Sequence, residues 1–416
     1  MAREMKDSGV AWIGEIPSDW KLSKIGSLYS QRIEKVSDKD YPPLSVTMKG
    51  ILPQLATAAK SDDGDNRKLV RIGDFAINSH SDRRGSCGVS LYDGSVSLIN
   101  IILTPRNTMN SGYYDWLFHT SLFADEFYKW GHGIVDDLWT TRWQEMKSII
   151  VPVPNLHEQE RIAHFLNQRC AEIDTVLDKT RTSIEEYKKL KQAIITQAVT
   201  KGIRGDRPMK ESGVIWLDTV PAEWTISKIK YTIFPKEKPV LPMDEVITCF
   251  RDGTVTLRRN RREEGFTISF TENGYQGVDV GDLVIHGMDT FAGAIGCSDS
   301  RGKTSPVVHV CSTVGNNRYF MYFLRYMAYS GVLMDFSNGV RIRSSDFRNF
   351  KKLAVFEMLV PPLREQNKIV DYLDSTLAKI DQVIKQKEIL ISELEACKKS
   401  AIYEYVTGKR EVPNAY

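Results

Sequence analysis

Cysteine is scarce in this chain and has no pattern. The six thiols, Cys87, Cys170, Cys249, Cys297, Cys311 and Cys397, never form a Cys-x-x-Cys pair, which argues against a structural zinc site. They read as reduced core residues of a cytoplasmic protein. Long apolar runs are also missing, because no stretch approaches the roughly 18 residues of a membrane span. The opening Met-Ala-Arg-Glu-Met-Lys-Asp carries charge where a signal peptide has an apolar core. An excess of one charge is nearly absent too. Fifty-six basic against 53 acidic residues leave +3, so total charge does not point to a nucleic-acid partner and does not exclude one.

Catalytic signatures are lacking as well. Gly302-Lys303-Thr304 looks like the end of a phosphate-binding loop, but the glycine it requires falls on Cys297. Gly131-His132-Gly133 lacks the third glycine of a dinucleotide fingerprint. No Pro-Pro pair has the Asn or Asp and the aromatic residue expected of an adenine methyltransferase. His80, His119, His132, His157, His164, His286 and His309 form no metal-binding spacing, and no Gly-x-Ser-x-Gly elbow occurs. The absences favour a binder over an enzyme.

What the sequence does contain is a repeat. Met5-Lys6-Asp7-Ser8-Gly9-Val10 returns as Met209-Lys210-Glu211-Ser212-Gly213-Val214, with Trp12, Pro17 and Trp20 returning as Trp216, Pro221 and Trp224. Gly73-Asp74, Gly85, Gly88 and Gly94 match Gly281-Asp282, Gly293, Gly296 and Gly302. Glu158-Gln159, Leu166 and Ile173-Asp174 match Glu365-Gln366, Leu373 and Ile380-Asp381. The offset stays near 207, too long for a solenoid unit, so a whole module has been duplicated.

Each module has two parts. Residues 1–155 and 208–361 mix short apolar runs with Gly, Asp, Asn and Ser, as an α+β domain does. Within them, 69–77 and 278–285 read as strand–turn–strand, and 113–130 and 319–334 as aromatic helices. Residues 156–203 and 362–408 read as long helices with a heptad seam. The seam includes Leu166, Ile173, Leu177, Ile184 and Tyr187 in the first copy, and Leu373, Ile380, Ile384, Ile391 and Leu394 in the second. Two such helices can satisfy each other as a coiled coil, a rod of about 65 Å that holds two domains apart. Lys191 and Lys398 fall at equivalent seam positions, where they either lay their stems along the apolar surface or fix the pairing register.

Polar and basic residues gather in the loops of the α+β parts. The first copy offers Lys49, then Ser79, His80, Arg83 and Arg84, then Arg142. The second offers Arg251, the run Arg258-Arg259-Asn260-Arg261-Arg262, then His286, Lys303, Arg341 and Arg343. Matching scaffolds with differing loops are what two binders of different targets would show. Arginine with asparagine can supply both phosphate and base-edge contacts, although a charge run is also a common solvated face.

Two α+β domains, each followed by a long helix opening on Pro154-Asn155-Leu156-His157-Glu158-Gln159-Glu160-Arg161-Ile162 or Pro361-Pro362-Leu363-Arg364-Glu365-Gln366-Asn367-Lys368-Ile369, resemble the specificity subunit of type I restriction–modification systems. The Ser-Gly-Val-x-Trp openings and Gly281-Asp282-Leu283-Val284-Ile285 strengthen the likeness, which covers essentially the whole chain. One departure is Val96-Ser97-Leu98, where the second copy has Ser305-Pro306. The resemblance implies two target recognition domains, each reading half of an asymmetric bipartite site on double-stranded DNA, joined by an antiparallel coiled-coil spacer. It implies a non-catalytic chain that binds no cofactor itself and assembles with two modification subunits and with restriction subunits. Those partners would hold S-adenosylmethionine, ATP and Mg, and would carry out adenine N6 methylation and cleavage. The rival reading is a coiled-coil scaffold or antirestriction-type protein with two protein-binding domains.

Overall fold

Short apolar runs punctuated by glycine and aspartate form antiparallel strands, and the two stretches free of proline and glycine form the long helices. The computed structural model describes residues 3–54, 64–80, 83–133, 139–261, 272–335 and 347–413. Two units emerge, Met1–Thr180 with Ile389–Tyr416, and Arg181–Glu388. This division cuts through the long helices, whereas the division by sequence pattern separates each α+β part from the helix that follows it. The reason is packing: each unit's core takes in the start of one long helix and the end of the other.

In the first unit a four-stranded antiparallel sheet runs in the order Cys87–Val89, Phe75–Asn78, Asn100–Pro105, Tyr29–Arg32. Lys21–Lys24 pairs with Ile150–Val153, which brings the entry of the domain beside its exit. The aromatic stretch is two helices rather than one, Ser111–Phe118 and Ser121–Lys129. Thr120 interrupts it, because its side chain accepts the Phe123 amide and caps the second helix. Tyr113, Tyr114, Phe118, Phe123, Phe127 and Tyr128 are all buried. At about 150–250 Å² per ring, each contributes on the order of 4–6 kcal/mol as an upper estimate. They pack with Ile162 and Leu166 of the long helix Leu156–Thr200 and with Tyr405, Val406 and Val412 near the chain end.

The second unit repeats this plan. Its sheet runs Ile233–Pro235, Val308–Thr313, Leu283–His286, Ile295–Cys297, and Thr225–Lys228 pairs with Glu357–Val360. The aromatic helix Asn317–Tyr329 stops before Gly331, whose φ of 83° suits glycine, and a short helix Val332–Asp335 follows. Ile195, Ala198 and Val199 from one long helix share its core with Ile369, Leu373 and Leu377 from the other, Leu363–Val406.

The repeated Gly-Asp pairs make the same turn twice. Gly73 and Gly281 have φ of 87° and 84°. Asp74 accepts the Arg71 amide, and Asp282 accepts the Asp279 amide. The Val96-Ser97-Leu98 departure leaves its loop unchanged, since Asn100 bonds back to Ser97 as Val308 does to Ser305.

The long helices are 45 and 44 residues. Each meets a glycine just past its end, Gly202 with φ of 80° and Gly408 with φ of 72°. Within each unit they pair antiparallel. In the first unit Phe165 meets Tyr405 at 4.6 Å and Lys398 reaches Asp174 at 2.6 Å. In the second, Lys387 lies over the Tyr187 ring and Lys191 reaches Asp381. Leu166, Ile173, Leu177, Ile184, Leu373 and Ile380 are buried, while Tyr187, Ile384, Ile391 and Leu394 are half-buried. Lys191 and Lys398 both find acidic partners. Each bonds the aspartate of a repeated Ile-Asp pair on the facing helix while its stem stays half-buried on the seam.

Candidate nucleic-acid interface

The shared scaffold of the two domains starts from the Glu-Gln pair opening each long helix. Glu158 accepts the Trp20 indole N–H at 2.8 Å and the Arg3 guanidinium at 2.5 Å. Glu365 takes the same bonds from Trp224 at 2.9 Å and Arg207 at 2.5 Å. Burial would push the Glu365 carboxyl up, but the Arg207 and Trp224 donors outweigh it and hold the group below its ordinary value. Gln159 accepts the Asn110 amide and donates to the Pro154 carbonyl, both at 2.9 Å. Gln366 does the same with Asn316 and Pro361. Asn110 and Asn316 cap the aromatic helices, so one glutamine ties a helix start to a domain core. Arg3 and Arg207 were missed in the sequence, although both precede their tryptophan by 17 positions.

The repeated glycines carry a hairpin across each sheet. In the first unit, Leu44–Thr47 and Gly50–Pro53 form a hairpin. A Cβ on Gly88 would sit 2.8 Å from Gly50 Cα, and one on Gly94 would sit 2.6 Å from the Pro42 carbonyl. In the second, Ile247–Cys249 pairs with Val255–Leu257. There a Cβ on Gly296 would meet the Gly253 carbonyl at 2.1 Å, and one on Gly302 the Glu245 carbonyl at 2.5 Å. Only bare glycine lets these backbones cross.

The two tips differ in chemistry. Lys49 is exposed at the first tip, its amide bonded to Thr47. In the loop beyond Phe75–Asn78, Ser79 is buried with its hydroxyl on the Ile99 carbonyl, so it presents nothing to a ligand. His80 bridges to Thr140, and the Thr141 amide bonds the Ser79 carbonyl, which brings exposed Arg142 to this loop. Arg83 and Arg84 are exposed; Arg84 pairs with Asp125 at 2.8 Å and lies over the Tyr128 ring.

At the second tip the cations meet carboxylates. Arg251 bonds Asp289 at 2.9 Å, Arg259 bonds Glu245 at 2.6 Å, and Arg261 grips Asp252 with both terminal nitrogens. Lys303 is mostly buried and bonds Glu272 at 2.6 Å. Asn260 bonds Thr256, and Arg258 lies beside Thr248 in a turn of 3-10 helix. Two members of the run, Arg259 and Arg261, thus sit against carboxylates. His286 Nδ1 accepts the Asp289 amide at 3.1 Å, and burial pushes its imidazole below the ordinary value against the pull of Asp289. Arg262, Arg341 and Arg343 lie outside the described residues. Asp252 and Asp289 were missed as candidates. The sequence does place both in the polar loops, one before the Gly253 turn and one three positions after His286.

Among the described residues, no group of three His, Cys, Asp or Glu side chains could hold a metal ion, and no helix is long and apolar enough to cross a membrane.

No protein-family model matches the chain. The putative type I restriction enzyme MjaX specificity subunit of Methanocaldococcus jannaschii is 20% identical over 438 residues, covering 96% of each chain. The type I restriction enzyme MjaVIII specificity subunit of the same organism is 22% identical, covering 96% of this chain and 95% of that one. Among solved structures, a chain from work on complex assembly and conformational transition of the type I R-M system superposes with a TM-score of 0.71 at 14% identity, covering 95% of this chain and 99% of the other. The HsdS subunit from Thermoanaerobacter tengcongensis gives 0.51 at 14% identity, covering 95% and 98%.

Proposed function

We infer from its likeness to specificity subunits of type I restriction–modification systems that this chain is the non-catalytic DNA-reading subunit of such a complex. It reads a bipartite, asymmetric duplex target, one half-site per α+β domain, and directs adenine N6 methylation or restriction by partner subunits. The observation carrying this reading is the likeness to two specificity subunits over 96% of the chain. The internal architecture supports it: one scaffold is built twice with the same anchoring contacts, yet ends in two chemically different hairpin tips. A reader of two unlike half-sites needs that combination.

The partners in this reading are two modification subunits and the restriction subunits. S-adenosylmethionine, ATP and Mg belong to those partners, and this chain contributes recognition alone. Its Glu-Gln contacts keep each domain fixed to a helix start, so that the tips are held on rigid elements.

Co-expression with the modification subunits, followed by methylome sequencing, tests the reading. Methylation at one bipartite motif is the expected result. Exchanging residues 1–150 for the corresponding domain of a relative should replace one half-site and leave the other unchanged. A chain whose complex methylates no bipartite motif would refute it.

A further inference from the structure

Beside the second hairpin tip is a cavity of about 460 Å³, lined in part by Phe250, Arg251, Asp252, Arg261, His286 and Asp289. Its residues come from three places: the turn after Ile247–Cys249, the end of the 3-10 turn Arg258–Asn260, and the end of Leu283–His286 with the loop after it. Arg251 and Asp289 join them at 2.9 Å, although they are 38 positions apart in sequence.

Two properties set this cavity apart from a phosphate cradle. The two arginines that line it are matched by two aspartates, so a phosphate entering it meets carboxylates as well as guanidinium groups, unlike a purely cationic phosphate contact. It also presents acceptors beside donors. A phosphate has only acceptor oxygens and would be repelled by Asp252 and Asp289. A base edge in the major groove shows both kinds of group, including amino donors on cytosine and adenine and acceptors on guanine.

The groups are also held in place before any ligand arrives. The Asp289 amide donates to His286 Nδ1 at 3.1 Å, which puts the ring hydrogen of the neutral imidazole on Nε2 as a donor. Arg261 holds Asp252 through both terminal nitrogens, at 3.0 Å and 2.6 Å, and lies 4.3 Å from the centre of the Phe250 ring. The Gly253–Gly296 crossing fixes the turn that carries Arg251 and Asp252. Pre-organised side chains lose less rotamer freedom on binding.

We propose that Arg251 and Asp289, supported by His286 and the Phe250–Arg261–Asp252 stack, read base edges and set the sequence of the second half-site. Backbone contacts fall to other residues of the domain. This rests on the reading of the chain as a specificity subunit, and it adds which residues carry sequence information.

The test uses the full complex with its modification subunits, and a duplex library randomised across both half-sites at several salt concentrations. Asp289→Asn and Arg251→Gln are the variants; Arg251 has an exposed side chain, and thermal melting verifies that both fold. Each should alter base preference at a position of the second half-site, with discrimination falling about 5- to 150-fold. The first half-site and the slope of log K against log salt should stay as in the parent. An unchanged second half-site would overturn the proposal, as would a sequence-independent loss with the slope reduced by about one, the mark of a phosphate contact. If the parent complex itself selects no bipartite site, the functional reading fails and takes this inference with it. A normal parent with unchanged variants overturns the inference alone.

Discussion

The two Glu–Arg–Trp anchors provide an internal comparison, because the same contacts are buried to different depths. Arg207 and Glu365 side chains are 6% and 7% exposed, against 22% and 16% for Arg3 and Glu158. Glu365→Ala removes the buried carboxylate and leaves Arg207, 6% exposed, with only the half-exposed Glu223 as its acidic partner, so the cost approaches the lower end of the about 3–5 kcal/mol of a broken buried pair. Glu158→Ala leaves the more exposed Arg3 with Asp19 and water, so the cost falls toward the roughly 1.5–3 kcal/mol of a charge-assisted hydrogen bond. For a unit of this size the first loss corresponds to a drop of about 6–20 °C in melting temperature. Hydrogen exchange on peptides containing Trp20 and Trp224 reads each anchor separately. Adding Arg207→Ala to Glu365→Ala removes the guanidinium that has lost its buried partner, so the double variant should lose less than its two singles combined. The pH dependence follows from the depressed Glu365 pKa. An unfolded glutamate titrates near about 4.3. The anchor is therefore at full strength above that pH and weakens as pH falls through the lower folded value, a dependence that Glu365→Gln should reduce. Equal losses at the two anchors, or strict additivity in the double variant, would refute the reasoning.

Two further outcomes follow from named contacts. A Cβ at position 296 would lie 2.1 Å from the Gly253 carbonyl, so Gly296→Ala must displace the second hairpin. It should cost about 1–3 kcal/mol and blur the second half-site alone in a binding selection, while a sharp, unchanged half-site would contradict the crossing. The Lys398–Asp174 pair has side chains 24% and 53% exposed, so Lys398→Ala should cost no more than about 1 kcal/mol in urea denaturation. The charge swap Asp174→Lys with Lys398→Asp should recover part of that loss, and less of it at high salt.

Much of the scaffold was legible in the sequence because its physical requirements recur at a fixed period. A helix seam needs apolar side chains every three or four residues. A sheet crossed by a hairpin needs glycine at one place, and Gly88 and Gly296 show it twice. A helix start tied to a capped neighbour needs a glutamine with both a donor and an acceptor, as Gln159 and Gln366 are. The break in the aromatic stretch at Thr120 was less visible. Phe118 and Phe123 continue the apolar pattern across it, and only the capping bond to the Phe123 amide reveals the stop. The Arg3 and Arg207 anchors were masked because an arginine ahead of a strand reads as solvated surface until its carboxylate partner is found far along the chain.

The reading faces were harder for the opposite reason, since nothing about them repeats. Arg258 to Arg262 stood out as a run, and a run suggests a cationic strip. Arg259 and Arg261 are instead matched by Glu245 and Asp252, and the isolated Arg251 finds Asp289 across the fold. Density of charge along the sequence does not give the pattern of donors and acceptors left after folding, because the carboxylate partners lie outside the run. Divergence belongs in that pattern and not in the anchors. A changed anchor loosens a whole domain, whereas on the proposed reading a changed tip pair alters only what the domain recognises. The cost of exchanging Arg251 and Asp289 should therefore appear in base preference far more than in stability.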